Sequence, residues 1–216
     1  MSNKLKWKHP ESIVDCEWLR RHNDDQNLRI FDCTTFLHFT DHDPLKPYDV
    51  ESGFVNYQAA HIPKASFLDL QEDLSDINSE FKFTLPKLEE LGEKFQNKGV
   101  GEPYHIILYS ANGLHWAARV WWMIFSVGYQ NVSILDGGFQ EWQRLKYPIE
   151  KGHNRFEPSK FKLRINHQIF IGKDEVLSAL YDDKYHLINS LTADIHSGNN
   201  PRYGRLGRIP SSVNIP

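Results

Sequence analysis

The sequence predicts an α/β fold built on a parallel sheet, and three neighbouring segments support this prediction. Residues 106–109 form a short apolar run that is typical of a strand buried on both faces. Residues 116–127 are apolar nearly all round, which favours a buried helix. Residues 132–135 form a second buried strand, which ends at Asp136-Gly137-Gly138. A strand, a crossover helix and a second strand imply two parallel strands in one sheet.

The elements that come first in the chain follow from shorter patterns. Residues 12–22 are predicted to form a helix with Ser12 as its cap. Residues 28–32 have the apolar character of the first strand. The long polar stretch 34–57 contains two prolines, and we expect it to be an irregular loop.

The remaining elements of the first half are bounded by prolines and glycines. Pro63 disfavours helical geometry in the residue before it, so the chain should turn before a strand at 66–68. Residues 86–97 carry apolar side chains on one side and are followed by Gly99, as at the end of a helix. A short helix is predicted at 140–144.

The loop after residues 106–109 is the predicted ligand site. In parallel sheets, ligands collect at the carboxyl ends of strands, where helix amino termini attract anions and lower the pKa of a thiol. This loop has no cysteine, and Ser110 stands where a nucleophile could sit. A hydrolase pairing Ser110 with His115 is conceivable, but no third group and no Gly-x-Ser-x-Gly motif support it. A degenerate loop in a structural domain is the favoured interpretation.

Composition bounds the classes of function. A chain of 216 residues can form one domain or two, and its formal net charge of −3 gives no reason to expect binding to nucleic acid or to an anionic membrane. No apolar run reaches the roughly 20 residues needed to span a bilayer. The first residues lack the apolar segment of a signal peptide, so we expect a cytoplasmic protein. The sequence does not indicate an oligomeric state.

Several residues suit chemistry but have simpler structural interpretations. Cys16 and Cys33 form no metal-type pair and are interpreted as reduced structural thiols, with a sulfur-carrying role for Cys33 as the alternative. His61 is interpreted as a structural hydrogen-bonding residue rather than a general base. Four neighbouring residues could ligate a metal, although a solvated loop is the favoured interpretation. These residues are His38, Asp41, His42 and Asp43.

The chain resembles the amino-terminal domain of the two-domain rhodaneses, which are thiosulfate and 3-mercaptopyruvate sulfurtransferases. The resemblance rests on Arg119-Val120-Trp121-Trp122-Met123, Gly128-Tyr129, the run 132–139 and Trp142, together with a His-Ile-Pro turn at 61–63. It implies a rhodanese-like α/β fold, with a central, mostly parallel sheet flanked by helices on both faces. It also implies that no cofactor or metal is needed. In that family the first domain usually lacks the catalytic cysteine, which agrees with the cysteine-free loop here.

The second half of the chain repeats the first. The repeated pairs of segments are 171–180 with the opening helix, 186–189 with 28–32, and 208–216 with 61–68. We therefore predict a non-catalytic rhodanese-like domain at 10–147, a linker at 148–160, and the start of a second rhodanese-like domain at 161–216.

The resemblance implies sulfur transfer by a covalent route. In the family, a cysteine takes the outer sulfur of a small anionic donor as a persulfide and passes it to a thiol or to cyanide. No residue of this chain supplies that nucleophile in the right place, so the catalytic cysteine is expected beyond Pro216, in a longer parent protein. The chain alone is expected to be inactive. The alternative is a binding or regulatory module in which both loops are inactive.

The donor-binding pattern of the family is only partly present. Mercaptopyruvate-type members have an Asp-Ala-Arg-like run where this chain has Asn189-Ser190-Leu191, and Ile195 stands where one substrate arginine is expected. Pro201-Arg202 keeps the other arginine. Arg202, with Arg205 beside it, is therefore the candidate for holding a carboxylate or sulfonate, and solubilising surface arginines are the alternative.

Overall fold

The computed structural model describes residues 8–40 and 46–216, which form two compact units. Unit 1 contains the described residues of 1–36 and 50–166, and unit 2 contains those of 37–49 and 167–216. No helix in the described ranges is long and apolar enough to cross a bilayer. The two units are considered separately below.

The chain has nine short strands and seven α-helices in its described part. The strands are β1 (Ile13–Val14), β2 (Leu28–Asp32), β3 (Thr35–Phe39), β4 (Tyr48–Ser52), β5 (Ser66–Phe67), β6 (His105–Tyr109), β7 (Val132–Leu135), β8 (Ile188–Asn189) and β9 (Val213–Asn214). The helices are α1 (Cys16–His22), α2 (Phe54–Ala59), α3 (Leu88–Asn97), α4 (Leu114–Ser126), α5 (Gly138–Arg144), α6 (Lys173–Ala179) and α7 (Ala193–Ser197).

Unit 1 is built on a five-stranded sheet in the order β1-β7-β6-β2-β5, and all of its pairs are parallel. Asp32 at the end of β2 lies opposite Tyr109 at the end of β6. Because all strands run the same way, their carboxyl ends meet at one edge of the sheet. This confirms the predicted α/β fold and places the loop after β6 at that edge.

Helices cover both faces of this sheet. Ile107 and Tyr109 of β6 pack in one cluster with residues of α1, α2 and α5, including the fully buried Trp142. The alternate residues Ile106 and Leu108 point to the other face, where α4 contacts β6 and β7 and α3 packs on α4. A central strand covered on both sides explains why β6 is apolar throughout.

The first helix begins later than predicted. Asp15, not Ser12, caps α1, and its carboxylate accepts a hydrogen bond of 2.7 Å from the backbone amide of Trp18. The residues before it form a 3₁₀ turn at Pro10–Ser12 and then strand β1, which pairs with β7. The β-branched residues Ile13 and Val14 form an edge strand, although the prediction had assigned them to the helix.

The prediction of an irregular loop at 34–57 is wrong for the described residues. Strands β3 and β4 form a two-stranded sheet, and α2 follows them. Burial alternates along β4, whereas β3 changes from buried to exposed along its length, so neither strand is buried continuously. A search for continuous buried runs therefore does not detect them.

Helix α4 is less buried than its composition predicted. Trp122 is 48% exposed, because the sheet and α3 cover only one side of the helix. Trp121 stacks on Phe125 with 4.9 Å between ring centroids, and Trp122 meets Trp121 edge-on at 5.0 Å. The helix therefore has an exposed aromatic strip rather than an apolar surface buried all round.

Residues 148–166 run along unit 1 and are held by it. Isolated bridges pair His61 with Glu150 and Ser66 with Asn154. Arg29 is buried and donates hydrogen bonds to the carbonyls of Gly99, at 2.5 Å, and of Glu157, at 2.9 Å. Unit 1 thus continues to residue 166, whereas the predicted linker spans 148–160. The division into domains and linker stays a prediction.

The predicted internal repeat is present in the pairing of the strands. In unit 1, Asp32 of β2 lies opposite Phe67 of β5, and in unit 2, Asn189 of β8 lies opposite Asn214 of β9. The amide of Leu68 donates to the carbonyl of Asp32 at 2.9 Å. The amide of Ile215 donates to the carbonyl of Asn189 at 3.0 Å.

The turn before each second strand is also the same. Lys64 and Ser211 each stand two residues after the isoleucine of an Ile-Pro pair, and they have positive φ angles of 66° and 63°. The amide that follows closes the turn onto the isoleucine carbonyl, at 3.0 Å in unit 1 and 3.2 Å in unit 2. The two halves therefore have equivalent hydrogen bonds and backbone geometry, in addition to similar sequences.

Candidate functional site

The loop that links β6 to α4 places Ser110 at the carboxyl edge of the sheet. Ser110 is only 3% exposed, and its hydroxyl donates a hydrogen bond to the carbonyl of Gly113 within the same loop. A hydroxyl used in this way holds the loop in shape and does not face solvent. The loop is therefore closed by its own first residue.

The end of β2 supports this loop through hydrogen bonds. The amide of Ala111 donates to the hydroxyl of Thr34 at 2.9 Å. That hydroxyl donates to a carboxylate oxygen of Asp32 at 2.5 Å, and the amide of Thr34 donates to the same oxygen at 2.8 Å. The side-chain amide of Asn112 donates to the carbonyl of Thr35 at 2.6 Å. Loop and strand end thus form one hydrogen-bonded junction.

The start of α5 closes the other side of the loop. The amide of Phe139 donates to the carbonyl of Ser110 at 3.2 Å. Gly138 has a φ of +54°, and a Cβ atom there would lie 2.4 Å from the Ser110 carbonyl oxygen. Only glycine combines this backbone geometry with so close an approach. Gly138, the second glycine after β7, is therefore required for the start of α5 to pack against the loop.

Asp32 is the main buried charge of the junction. It is 2% exposed, and burial raises its pKa to about 6, although hydrogen bonds from Thr34 and Tyr109 oppose the shift. Burial and the nearby Asp32 in turn raise the pKa of Tyr109 well above its ordinary value. The Tyr109 hydroxyl also accepts a hydrogen bond of 3.3 Å from the amide of Ile62. Asp32 therefore links the loop to the Ile-Pro turn.

His61 lies under that turn and has hydrogen-bond partners for both ring nitrogens. Its Nδ1 is 2.7 Å from the carbonyl oxygen of Tyr57, so Nδ1 carries the proton and donates. Its Nε2 faces the side-chain amide of Asn154 at 3.3 Å, and its ring stacks on Tyr57 at 4.2 Å. This fully buried geometry is that of a structural histidine, as the sequence interpretation had it.

Both cysteines are buried and poorly suited to nucleophilic chemistry. Cys33 is fully buried, and burial together with Asp32 raises its pKa well above the ordinary value. Burial, followed by the charges of Glu141 and Asp15, raises the pKa of Cys16 to about 11. Because the thiolate is the reactive form, neither side chain is a competent nucleophile at neutral pH.

Comparison with known proteins places this fold and loop in a family. A model of the rhodanese-like domain matches residues 15–145. The chain belongs to the rhodanese-like family. The chain is 32% identical to rat thiosulfate sulfurtransferase over 166 residues, which cover 74% of this chain and 56% of that protein. It is 30% identical to human 3-mercaptopyruvate sulfurtransferase over 214 residues, covering 95% of this chain and 69% of that protein.

Solved structures show the same relationship. The rhodanese-like chain superposes on SseA from Escherichia coli, a 3-mercaptopyruvate sulfotransferase, with a TM-score of 0.76 and 28% identity. The match covers 95% of this chain and 74% of that chain. The chain spans only 56% of the length of rat thiosulfate sulfurtransferase, so it corresponds to part of such a protein.

The rhodanese-like loop gives no support to the hydrolase interpretation. The Ser110 hydroxyl donates to Gly113, and none of the hydrogen bonds between described residues joins it to His115. The His115 ring instead lies against Trp116, with 4.7 Å between ring centroids. Of the four possible metal ligands, Asp41, His42 and Asp43 lie outside the described residues. In the described ranges, no group of three potential ligands is close enough to hold a metal ion.

The two arginines proposed for substrate binding lie in unit 2 of the rhodanese-like chain. The guanidinium of Arg202 lies over the ring of Phe39, 4.3 Å from its centroid. The backbone amide of Arg202 donates to the side chain of Asn200 at 3.0 Å, and the side chain of Arg205 is exposed. Arg202 is thus oriented by an aromatic ring that sequence reasoning did not pair with it. The role of both arginines stays a prediction.

Asp32 makes the stability of unit 1 depend on pH. Its folded-state pKa lies above the ordinary value, so the folded state binds more protons between about pH 4 and pH 6. The contribution of this group to the free energy of unfolding therefore falls as pH rises through that window, by roughly 3 kcal/mol. Asp32→Asn, which can still accept hydrogen bonds, should lack this fall.

Urea unfolding at several pH values, followed by tryptophan fluorescence, tests this expectation. All five described tryptophans lie in unit 1, so the signal reports on that unit. Asp136→Asn is the control, because it removes an exposed carboxylate from the same unit. Parallel pH profiles for the wild type and Asp32→Asn would show that Asp32 does not titrate in this window.

The two thiols should be protected in the folded protein. At pH 8, a thiol with a pKa of about 11 has roughly a hundredfold less thiolate than an ordinary cysteine. Cys16 should therefore react with an aromatic disulfide reagent at least about a hundredfold more slowly than it does in urea, and Cys33 more slowly still. Single Cys→Ser variants assign the two rates. A fast thiol in the native protein would contradict the buried geometry.

Proposed function

We propose that this chain contributes a non-catalytic rhodanese-like domain to a protein that transfers sulfane sulfur. The donor is thiosulfate or 3-mercaptopyruvate, and the acceptor is a thiol or cyanide. The similarity to thiosulfate and 3-mercaptopyruvate sulfurtransferases supports this reaction class. The observation that supports a non-catalytic role is the closed loop headed by Ser110, together with two buried thiols of raised pKa.

The proposed reaction has two displacement steps on sulfur. A cysteine thiolate attacks the outer sulfur of thiosulfate, a new S–S bond forms, and sulfite leaves with the electrons of the broken S–S bond. The acceptor thiolate or cyanide then attacks the outer sulfur of the persulfide and releases the cysteine thiolate. Such a step needs an accessible thiolate, amide groups around it and cationic side chains for the donor. Neither Cys16 nor Cys33 meets the first requirement, so we place the persulfide on a cysteine outside residues 1–216.

The domain layout follows from this assignment. Residues 10–147 form the non-catalytic domain, 148–160 connect it, and 161–216 begin a second domain of the same kind. The β8–β9 pair has the same pattern of pairing and hydrogen bonds as the β2–β5 pair, and this similarity supports a second copy of the fold. In this layout, unit 2 would supply residues that hold the donor.

Arg202 is the first candidate for holding the anionic donor, with Arg205 as a second. Arginine binds carboxylates and sulfonates through paired N–H donors. The stacking of Arg202 on Phe39 orients its guanidinium and leaves hydrogen-bonding edges for a ligand. Ile195 has an apolar side chain without N–H donors, so it cannot replace a second substrate arginine.

A binding module without catalysis is the alternative function. It is favoured by the same closed loop and by Asn189, which replaces an acidic residue of the family pattern. The two functions differ in the protein purified from its native source. Sulfur transfer by that protein supports the enzyme, whereas its absence supports the module.

Residues 1–216 alone should not transfer sulfur from thiosulfate to cyanide. The physical reason is that neither thiol is both exposed and ionised. Formation of thiocyanate is the measurement, with a full-length sulfurtransferase as the positive control. Turnover by this chain that Cys33→Ser or Cys16→Ser abolishes would overturn the non-catalytic assignment.

Arg202→Gln should weaken the binding of thiosulfate to this chain by about tenfold, because one charge-assisted contact is lost. Isothermal calorimetry at low ionic strength measures the affinity. Lys184→Gln removes an exposed cation from the same unit and should leave the affinity unchanged. Equal losses in the two variants would indicate general charge attraction, not a site at Arg202.

A further inference from the structure

An open cleft lies beside the edge strand β5 of unit 1, away from the loop at Ser110. Its volume is about 620 Å³, which is within the range of small-molecule sites. It lies among the last residue of β4, the first turn of α2, β5 and the end of α3. The side chains that matter for its chemistry are Ser52, Phe54, Phe67, Lys98, His153 and Arg155.

The carboxylates of this cleft already accept hydrogen bonds from protein donors. Asp69 accepts hydrogen bonds from the Ser52 hydroxyl and from the amides of Gln71, at 3.0 Å, and Glu72, at 2.9 Å. Asp73 accepts from Lys98 Nζ at 2.6 Å and from the amide of Asp69 at 3.1 Å. Both carboxylates are therefore held by hydrogen bonds within the protein, and Asp73 is also paired with Lys98.

Two basic groups of the cleft, Arg155 and His153, have no ion-pair partner among the described residues, in contrast to Lys98. Among the described residues, no carboxylate forms an ion pair with Arg155, whose side chain is exposed at the rim. His153 stands two residues before it, and no hydrogen bond from a described residue reaches its ring. Burial, followed by the positive charges of Arg155 and Lys98, lowers the pKa of His153. Arg155 and His153 are therefore the part of the rim where an anion can gain a charge-assisted hydrogen bond.

Aromatic side chains form the rest of the wall. Phe54 and Phe67 lie 5.5 Å apart between ring centroids, and the ring of His153 meets Phe54 edge-on at 5.1 Å. Phe156 lines the same cleft and packs edge-on against the buried Phe31 at 5.2 Å. A flat apolar group can be covered by these rings while a charged group stays at the rim.

We propose that this cleft binds a small organic anion. Its carboxylate or sulfonate lies between Arg155 and His153, and its flat apolar body lies against Phe54 and Phe67. The site shares no residue with the loop at Ser110 or with the proposed donor-binding arginines, so it does not rest on the proposed sulfur transfer. One unpaired guanidinium supplies the paired N–H donors that such oxyanions need.

Benzenesulfonate is the probe, and NMR spectroscopy of the whole chain is the measurement. Titration should shift the His153 ring resonances and raise the pKa of His153, because an adjacent anion favours the charged imidazolium. Arg155→Gln should weaken binding by about tenfold or more, since a charge-assisted contact is lost. Arg164→Gln removes an equivalent cation that does not line this cleft and should bind as the wild type does.

Two partial probes separate the contributions of charge and rings. Sulfate has the charge without the ring, and benzyl alcohol has the ring without the charge. Both should bind at least about tenfold more weakly than benzenesulfonate. Equal binding of sulfate, equal losses in Arg155→Gln and Arg164→Gln, or no shift of His153 with benzenesulfonate would each overturn the proposal.

Discussion

The hydrogen bonds between the end of β2 and the start of the loop after β6 are the contact on which the candidate site depends. Asp32 is a buried carboxylate, and burial of a charge is costly unless donors surround it. Thr34 donates both its amide and its hydroxyl to Asp32, which fixes the direction of the hydroxyl proton. The hydroxyl oxygen is then left to accept from the amide of Ala111. One buried charge thus orders two segments that are far apart in sequence.

This junction also explains why the loop is closed in unit 1. An anion or persulfide at the carboxyl end of β6 would need free amides. The first amide of the loop is used by Thr34, and the Ser110 hydroxyl is used by Gly113. Gly138 brings α5 against the Ser110 carbonyl from the other side. These contacts therefore use the Ala111 amide and the Ser110 hydroxyl, so neither donor is available to a ligand without breaking a hydrogen bond.

The strand pair β8–β9 repeats the arrangement of β2–β5 without the negative charge of Asp32. Asn189 occupies the place of Asp32 and accepts a 2.9 Å hydrogen bond from the amide of Leu191. Asp32 accepts in the same way from the amide of Thr34. The turn and register are preserved with a neutral side chain and without the histidine of the first copy. Backbone geometry, not the acid or the histidine, is what the repeat conserves within this chain.

The sequence predicted the parts of the structure that depend on continuous apolar runs. Strands β6 and β7, helix α4 and the repeated Ile-Pro turn follow from local patterns, and the family resemblance supplied the arrangement of the sheet. The strand pair β3–β4 was missed because neither strand is buried continuously, and β1 because two residues give too short a signal. The Asp32–Thr34–Ala111 contact joins residues 77 positions apart, so no local pattern reveals it. An acidic residue ending an otherwise apolar strand was the available signal.

The carboxyl edge of the sheet and the cleft beside β5 differ in whether their polar groups already have partners. At the carboxyl edge of the sheet, Thr34 is hydrogen-bonded to Asp32 and the Ser110 hydroxyl is bonded to Gly113, so a ligand that uses these groups would have to break hydrogen bonds. At the open edge beside β5, the carboxylates are satisfied but Arg155 has no ion-pair partner among the described residues. A ligand there gains a charge-assisted contact without breaking one. In unit 1, the proposed anion site therefore lies at the side of the sheet, whereas the hydrogen bonds at the end of β2 and in the loop after β6 hold those two segments together.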